Sequence, residues 1–383
     1  MASMTRPTVN IPNELYREIA KNLHQRRDKA SLLSLALVSS VWRHESQRVL
    51  FSSLSNDWNS KKSTRRTHIL FLESILAHPD RLGPCVHLYA QNGLAENTVA
   101  VEEFEEENFC EGMQLWDLTS RALSVMINLK HLYIYTGVNA RSVAKDFLVD
   151  CRFQLETFSW RCEETSKEAL VAFLLTQRVL THIEIGAPAE WSDLSWLTPD
   201  MCPSLTSTVC RMLSAGLLEP RREVVALKGI VTEDIEHLLG LQNTLSSVFQ
   251  RIRYLSVWSY PFSSTLLRPI APNLSLLEIQ IWDFTSSKSL FALNFPSLRV
   301  LALLDGAHII ENATLLVQIP TAAFDQLPKL EHIFIRPYNP VQFGYHAKMS
   351  LDRANPDAKV EVDRFIRDCR LGLPWWTVYE MDM

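Results

Sequence analysis

The chain has 383 residues, of which 47% are apolar and 21% charged, and its net charge of −5 is small for this length. This composition is that of a folded globular protein and excludes wholesale disorder; the length suits about two domains of roughly 150 residues, or a small module followed by repeats. Lysine and arginine are spread thinly, with one short cluster, Lys61, Lys62, Arg65 and Arg66, that we interpret as a solvated linker. We therefore predict no nucleic-acid partner.

The N-terminal stretch MASMTRPTVN lacks the apolar core of a secretory signal, and no uncharged apolar stretch reaches the roughly 18 residues needed to span a bilayer. We predict a cytoplasmic or nuclear protein with no membrane partner and with residues 1–10 disordered. The seven cysteines are scattered and contain no C-x-x-C pair. We interpret them as reduced, mostly buried thiols, not as a disulfide framework or a zinc site.

Residues 11–55 predict three short helices. Pro12 suits a first helical turn, because its φ is already helical and its missing N–H costs nothing there. Leu15, Ile19 and Leu23 then recur at helical spacing, with charged residues on the opposite side. The pattern indicates one amphipathic helix.

The second predicted helix, residues 32–38, is apolar nearly all round. Ser39 and Ser40 favour a turn or cap before a third helix that carries Trp42. Three helices in about 40 residues bury too little surface to be stable alone. The excess apolar surface therefore predicts a docking face, unless helices further along the chain cover it.

The stretches IPNELYREIAKNL and DKASLLSLALVSSVWRHESQRVLF resemble the F-box over residues 11–51. The sequence departs from the family pattern at Ile11, where Leu is usual, and at Ser40, where Arg or Lys is usual. The resemblance implies that these helices bind the Skp-type adaptor, and through it a cullin, in a Skp–cullin–F-box ubiquitin ligase. The residues that it assigns to adaptor binding are Pro12, Leu15, Ile19, Leu33, Leu37, Val38 and Trp42.

Residues 56–81 form a polar connector, NDWNSKKSTRRTH, followed by the apolar helical stretch ILFLESILAHP. The acidic run VEEFEEENFCEG, residues 101–112, is the strongest charge feature of the chain. We interpret it as a solvated loop between repeats, because blocks of like charge repel and stay hydrated. The alternative is a contact for a basic partner.

From residue 82 onward one pattern recurs: apolar-x-x-apolar-x-apolar, followed by turn or polar residues. An earlier strand is expected around Val86 and Leu88, and Leu205 begins a degenerate unit inside a 72-residue gap. The clear units begin at Leu129, Leu155, Leu180, Ile252, Leu274, Leu298 and Leu330.

Apart from that gap, the units begin 22 to 32 residues apart, and their spacing and pattern are similar to those of leucine-rich repeats. The predicted fold is α/β: a small three-helix F-box, then an irregular leucine-rich-repeat-like α/β solenoid over residues 82–383. The asparagine that this repeat family places at position nine is absent. We expect Trp375, Trp376 and Tyr379 to cap the C-terminal end, although such aromatic residues also bind partners. The alternative is a generic α/β domain with several amphipathic strands.

No sequence motif supports catalysis. Neither G-x-G-x-x-G nor G-x-x-x-x-G-K-S/T occurs, and H-E-x-x-H and G-x-S-x-G are absent. His308 and Glu311 lie three residues apart but lack the further ligands that a metal site needs. We predict that the protein is not an enzyme and holds no cofactor or metal.

Residues between the repeated apolar positions are expected to point away from the core onto a ridge that binds a target protein. Tyr, Trp and Arg dominate binding hot spots. The predicted target-binding residues are Tyr133, Tyr135, Arg161, Tyr254, Trp258, Phe334 and Arg336. Together with the F-box resemblance, this predicts a non-catalytic substrate receptor of a ubiquitin ligase. The alternatives are a scaffold that binds the adaptor without a cullin, or a repeat module with a vestigial F-box.

Overall fold

The computed structural model of the chain describes residues 12–23, 25, 28–55, 61–92, 106–135, 147–162, 167–186, 196–198, 200–211, 223–231, 250–259, 267–268, 271–281, 290–305, 313–337, 347–353 and 355–362. They fall into two compact units. The first comprises Met1–Lys130 with Asp146–Phe153, and the second comprises His131–Lys145 with Gln154–Met383.

The first unit opens with three helices, α1 (Asn13–Lys21), α2 (Lys29–Val38) and α3 (Ser40–Leu50). Pro12 directly precedes α1. Ser39 caps α3, because its Oγ accepts a hydrogen bond from the backbone N–H of Trp42 at 3.2 Å and satisfies one of the free donors of the first turn. The break between α2 and α3 thus lies at Ser39, as the sequence predicts.

The first unit continues with two parallel strands, β1 (Ser53–Leu54) and β2 (Leu88–Asn92), and with three further helices, α4 (Lys61–Ala77), α5 (Pro79–Leu82) and α6 (Glu106–Leu123). A 3-10 turn spans Gly83–Cys85. Along α4, Ile69, Leu72 and Ile75 are buried at intervals of three residues, which confirms the predicted apolar helical stretch.

Two interpretations of charged segments in this unit need correction. The basic cluster at residues 61–66 belongs to α4, and Arg65 is buried, so a solvated linker is wrong for this residue, whereas Arg66 is exposed and the side chains of Lys61 and Lys62 lie outside the described residues. The acidic run is not a loop over its whole length, because α6 begins at Glu106. Residues 101–105 of that run lie outside the described residues.

The second unit contains a sheet in which each strand pairs with the next along the chain. Nine parallel strands, β3 to β11, are followed by β12 and β13, which pair in antiparallel fashion. Their bounds are β3 (His131–Tyr135), β4 (Thr157–Arg161), β5 (His182–Ile185), β6 (Ser207–Arg211), β7 (Ala226–Val231), β8 (Tyr254–Ser259), β9 (Leu276–Ile281), β10 (Val300–Asp305), β11 (His332–Pro337), β12 (Ala347–Asp352) and β13 (Asn355–Val362).

The described links between these strands include two helices, α7 (Lys167–Thr176) and α8 (Ala313–Gln326), and a 3-10 turn over Ala271–Asn273. A strand order that follows the chain order, with parallel pairing, is the arrangement of a repeat array. The reversal at β12 and β13 ends the parallel series. The cap that we expected from Trp375, Trp376 and Tyr379 lies outside the described residues.

The repeated apolar residues form the core. The first residue of all seven clear units is 0% exposed, and the residues at the fourth and sixth positions are also buried. The 72-residue gap holds two units, which begin at Leu205 and Val224, and both residues are buried. The sequence pattern did not reveal the unit that begins at Val224, because Gly229 occupies the position of its third apolar residue.

In three repeats the side chain just before the first apolar residue bonds to the backbone of the repeat before it. The amide of Asn128 donates to the carbonyl oxygen of Pro84 at 2.8 Å, and Asn273 donates to Gln250 at 2.9 Å. Ser204 Oγ donates to the Arg178 carbonyl at 2.8 Å. These bonds satisfy carbonyl groups that the strand ladder leaves free. The position-nine residues, where asparagine was missing, lie outside the described residues.

Candidate interaction surfaces

An apolar face is exposed on the first two helices. The exposed fractions are 50% for Leu15, 46% for Ile19, 49% for Leu33, 83% for Leu37 and 68% for Val38. Five of the eleven large apolar side chains that are exposed among the described residues thus lie in α1 and α2. Among the residues that the structure describes, these five side chains stay at least 46% exposed. We call these five residues, with the exposed Pro12, the apolar face.

Packing behind the apolar face holds the helices together. Ala20 in α1, Leu32 in α2 and Ser46 in α3 are 0% exposed. Trp42 is half-buried, and its ring meets that of Tyr16 edge-on, with centroids 4.8 Å apart. Aromatic pairs of this geometry are stabilising beyond the area they bury. Of the residues assigned to adaptor binding, Trp42 therefore supports the arrangement of the helices.

Polar contacts fix the connections of these helices. The side-chain amide of Gln25 donates to the carbonyl oxygens of Leu50, at 2.7 Å, and Ser53, at 2.5 Å, so the loop after α1 is tied to the end of α3 and the start of β1. Glu45 on α3 accepts from Arg48 Nε at 3.0 Å. A pair within one helix does not link helices, whereas the hydrogen bonds of Gln25 join segments 25 or more residues apart in the chain.

A buried polar cluster joins α4, β2 and α6. Tyr89 OH donates to Gln91 Oε1 at 2.8 Å and lies 3.3 Å from Thr119 Oγ1 and 3.4 Å from His68 Nδ1. Burial lowers the pKa of His68 to about 3 and raises the pKa of Tyr89 well above its usual value. These groups are neutral and closed to substrates, so we assign the cluster to packing.

The register of β2 differs from the prediction. The strand lies where Val86 and Leu88 indicated, but its residues that bond toward the helices are Tyr89 and Gln91. They occupy the fourth and sixth positions, which are apolar in the seven clear repeats. Polar residues at those places hid this unit from a search for apolar patterns.

The predicted target-binding ridge is only partly present. Tyr133 and Tyr254 are half-buried, but Phe334 is 0% exposed, so its assignment to an exposed ridge is wrong. Alternation along β11 does turn Phe334 away from the main core. On this side, however, the strands carry a second apolar cluster, formed by Ala226, Leu276, Val300, Ala302 and Phe334, with Tyr254 packed against it.

Tyr135, Arg161, Trp258 and Arg336 lie in strands of the second unit, and their side chains are outside the described residues. They stay predictions. The same holds for His308 and Glu311. In the part of the chain that the structure describes, no group of three or more His, Cys, Asp or Glu side chains is placed to hold a metal ion.

The side of the sheet that carries the second apolar cluster also carries polar residues, which pair between neighbouring strands. Ser159 Oγ donates to Glu184 Oε2 at 2.9 Å, and Ser256 Oγ donates to Glu278 Oε1 at 2.5 Å. Both pairs join equivalent positions of successive repeats, so their spacing of about one repeat was a readable signal that we missed. Because Ser159 and Ser256 are 0% exposed, these pairs stabilise the sheet and do not act on a ligand.

His182 and Ser207 resemble a catalytic pair in distance alone. Their Nδ1 and Oγ atoms are 2.8 Å apart. Burial lowers the pKa of His182 to about 4, with a smaller opposing effect of Glu184. Ser207 is 0% exposed, so its hydroxyl cannot meet a substrate.

Among the described residues, Cys85, Cys151, Cys162, Cys202 and Cys210 are thiols outside any disulfide, as the sequence predicts. Four are buried, and burial raises the pKa of Cys210 to about 12, which keeps it as an unreactive thiol. None of the described helices combines the length and apolar character needed to cross a bilayer.

No family model and no curated protein matches the chain. Among solved structures it is similar to the leucine-rich repeat-containing protein LegL7 from Legionella pneumophila, at 13% identity and a TM-score of 0.38, over 75% of this chain and 83% of that one. It also matches an ADP complex of Bacillus subtilis pyridoxal kinase at 11% identity and a TM-score of 0.24, over 40% of this chain and 52% of that one. Both TM-scores are too low to establish a shared fold.

The strand pairing and the buried repeat positions define the class of the second unit from this chain alone. It is an α/β repeat array with the apolar pattern of leucine-rich repeats. Arrays of this class present extended surfaces to other proteins.

Proposed function

We propose that the chain is the substrate-recognition subunit of a Skp–cullin–F-box ubiquitin ligase. In this proposal the apolar face docks the Skp-type adaptor, and the repeat array of the second unit binds the target protein. The observation that carries the proposal is the exposure of Leu15, Ile19, Leu33, Leu37 and Val38 in the segment that resembles the F-box.

Burial of the apolar face by a partner would contribute a favourable free energy of binding. Full burial of one large apolar side chain contributes about 1.5–3 kcal/mol. Five side chains that are 46% to 83% exposed would therefore stabilise a complex by on the order of 5 kcal/mol when a partner covers them. An apolar patch of this kind in a water-soluble protein is typical of an interaction site.

The proposed role is not catalytic. The adaptor and cullin would bring a charged conjugating enzyme, and this chain would hold the target beside it. Holding a target lysine near the enzyme raises its effective concentration without any reacting group on the receptor.

A docking assay tests the proposal. Leu37→Asp places a charge where the adaptor would exclude water, and burying an unpaired charge costs several kcal/mol. We expect recovery of purified Skp-type adaptor to fall by at least about a hundredfold. Leu175→Asp is the matched control, because Leu175 is an exposed leucine on α7. Undiminished recovery by the Leu37 variant would contradict adaptor docking through this face.

Co-purification separates the remaining possibilities. Recovery of both adaptor and cullin supports the ligase subunit. Recovery of the adaptor alone supports a scaffold without a cullin. Recovery of neither indicates a repeat binding module with a vestigial F-box, and would also contradict the docking proposal.

A further inference from the structure

A charged surface lies along one edge of the sheet in the second unit, at the end where the parallel strands begin. Two side chains per repeat are placed there, one on each side of the buried first apolar residue. Arg251 and Arg253 flank Ile252, and Lys329 and Glu331 flank Leu330. Ile252 and Leu330 are 0% exposed, whereas Arg253 and Lys329 are exposed and Arg251 and Glu331 are half-buried.

Backbone hydrogen bonds align these residues in a row. The N–H of Ser275 donates to the Arg253 carbonyl at 2.8 Å, and the N–H of Arg299 donates to Ser275 at 2.9 Å. Glu331 then donates to Arg299 at 2.8 Å, and Arg353 donates to Glu331 at 3.0 Å. Neighbouring strands are about 4.8 Å apart, so the row from Arg253 to Arg353 spans roughly 19 Å.

The charge of this edge changes sign along the sheet. The flanking positions of β4 to β7 include two acidic residues, Glu156 and Glu223, and no basic one. The flanking positions of β8 to β11 hold a single carboxylate, Glu331, and several cations. We call these cations, together with Arg353 after β12, the basic edge. The basic edge consists of Arg251, Arg253, Arg299, Lys329 and Arg353.

Most cations of the basic edge are exposed to solvent. Arg253, Lys329 and Arg353 are exposed. Arg299 pairs with Glu331 at 2.6 Å, which cancels one cation, but Arg353 Nη2 donates to the neutral carbonyls of Phe324 and Leu327. The edge is therefore cationic in a chain whose net charge is −5.

We propose that the basic edge binds an acidic segment of a partner protein. Complementary charges steer such a segment to the edge and select its register. A length of roughly 19 Å corresponds to about six extended residues at 3.3 Å each. The negative net charge of the whole chain opposes a long polyanion such as nucleic acid, whereas a short acidic peptide meets the basic edge alone. The surface lies on the second unit and does not depend on adaptor docking.

The test uses the full chain and a fluorescein-labelled polyglutamate peptide of about ten residues, which exceeds the length of the edge. Fluorescence anisotropy at low salt measures the affinity. We expect the double variant Arg253→Glu and Lys329→Glu to bind the peptide at least about tenfold more weakly, because two attractions become repulsions. Adding salt should weaken binding by the wild-type chain.

A matched control separates a local site from the effect of net charge. Arg152→Glu with Lys167→Glu makes the same change in net charge at two exposed cations that are not members of the basic edge. This control should retain wild-type affinity, and both double variants should keep their circular dichroism spectra and their adaptor recovery.

Three outcomes would overturn the proposal. The first is no binding of the peptide by the wild-type chain, and the second is an equal loss of affinity in both double variants. The third is tighter binding of a single-stranded DNA of similar length with the same dependence on Arg253 and Lys329, which would assign the edge to nucleic acid.

Discussion

The indole ring of Trp42 on α3 meets the phenol ring of Tyr16 on α1 edge-on, with an interplanar angle of 81° and centroids 4.8 Å apart. This contact joins two of the three helices behind the apolar face. The F-box resemblance assigns Trp42 to the adaptor, whereas its half-buried ring already has a partner within the chain. The position of α1, and with it of Leu15 and Ile19, depends on this pair.

A double-mutant cycle should detect the coupling of Tyr16 and Trp42. We expect Tyr16→Ala and Trp42→Ala each to lower the free energy of unfolding, with an interaction energy of about 0.5–1.5 kcal/mol between them. Urea unfolding of the two single variants and the double variant measures this energy. Strictly additive losses would show that the ring contact does not stabilise the helices.

The hydrogen bond from Asn273 to the Gln250 carbonyl predicts a cost for its removal. Asn273→Ala should lower the free energy of unfolding by about 1 kcal/mol, because one lateral bond between repeats is lost. Asn294→Ala, at an exposed asparagine of the same unit, is the control and should change stability by less than about 0.5 kcal/mol. Equal effects of the two substitutions would argue against a lateral bonding role.

The burial of Phe334 makes a prediction opposite to that of an exposed ridge residue. Phe334→Ala should destabilise the second unit by about 3–5 kcal/mol, because it leaves a cavity beside Val300 and Ala302. An exposed residue would cost about 0.5 kcal/mol or less. Thermal unfolding followed by circular dichroism distinguishes these values. A negligible change in the unfolding temperature would show that Phe334 lies on the surface.

The buried His68 predicts a loss of stability in acid. Its folded pKa is about 3, below the ordinary value of 6.5, so between these values the unfolded chain binds a proton that the folded chain does not. Stability is therefore full above pH 6.5 and falls by roughly 1 kcal/mol per pH unit below it. His182, with a pKa of about 4, contributes in the same direction in the second unit.

His68→Gln should reduce this acid sensitivity. Urea unfolding at pH 7, 6 and 5 should show a smaller decline for the variant than for the wild-type chain, because a buried histidine whose pKa is lowered by folding has been removed. His78→Gln, at an exposed histidine, should leave the decline unchanged. A wild-type slope in the His68 variant would show that folding does not lower the pKa of His68.

The core of the seven clear repeats could be predicted from sequence because every repeated position in them is apolar. Leu298, Leu301 and Leu303 need only the spacing of the pattern to be placed inside, and they are 0% exposed. The unit at Val224 and the register of β2 could not be predicted in this way. Gly229 has no side chain to mark its place, and Tyr89 and Gln91 are polar residues whose burial depends on partners in α4 and α6.

The sequence by itself determined the helices of residues 13–50, the strands of the repeats and their common inward face, since these follow from apolar period and capping residues close along the chain. The tertiary structure decided which apolar residues remain exposed. Leu37 and Phe334 are equally apolar, yet Leu37 is 83% exposed and Phe334 is 0% exposed. The difference arises from neighbours distant in sequence: β10 and the second apolar cluster cover Phe334, whereas Leu37 is left largely uncovered by the residues that the structure describes.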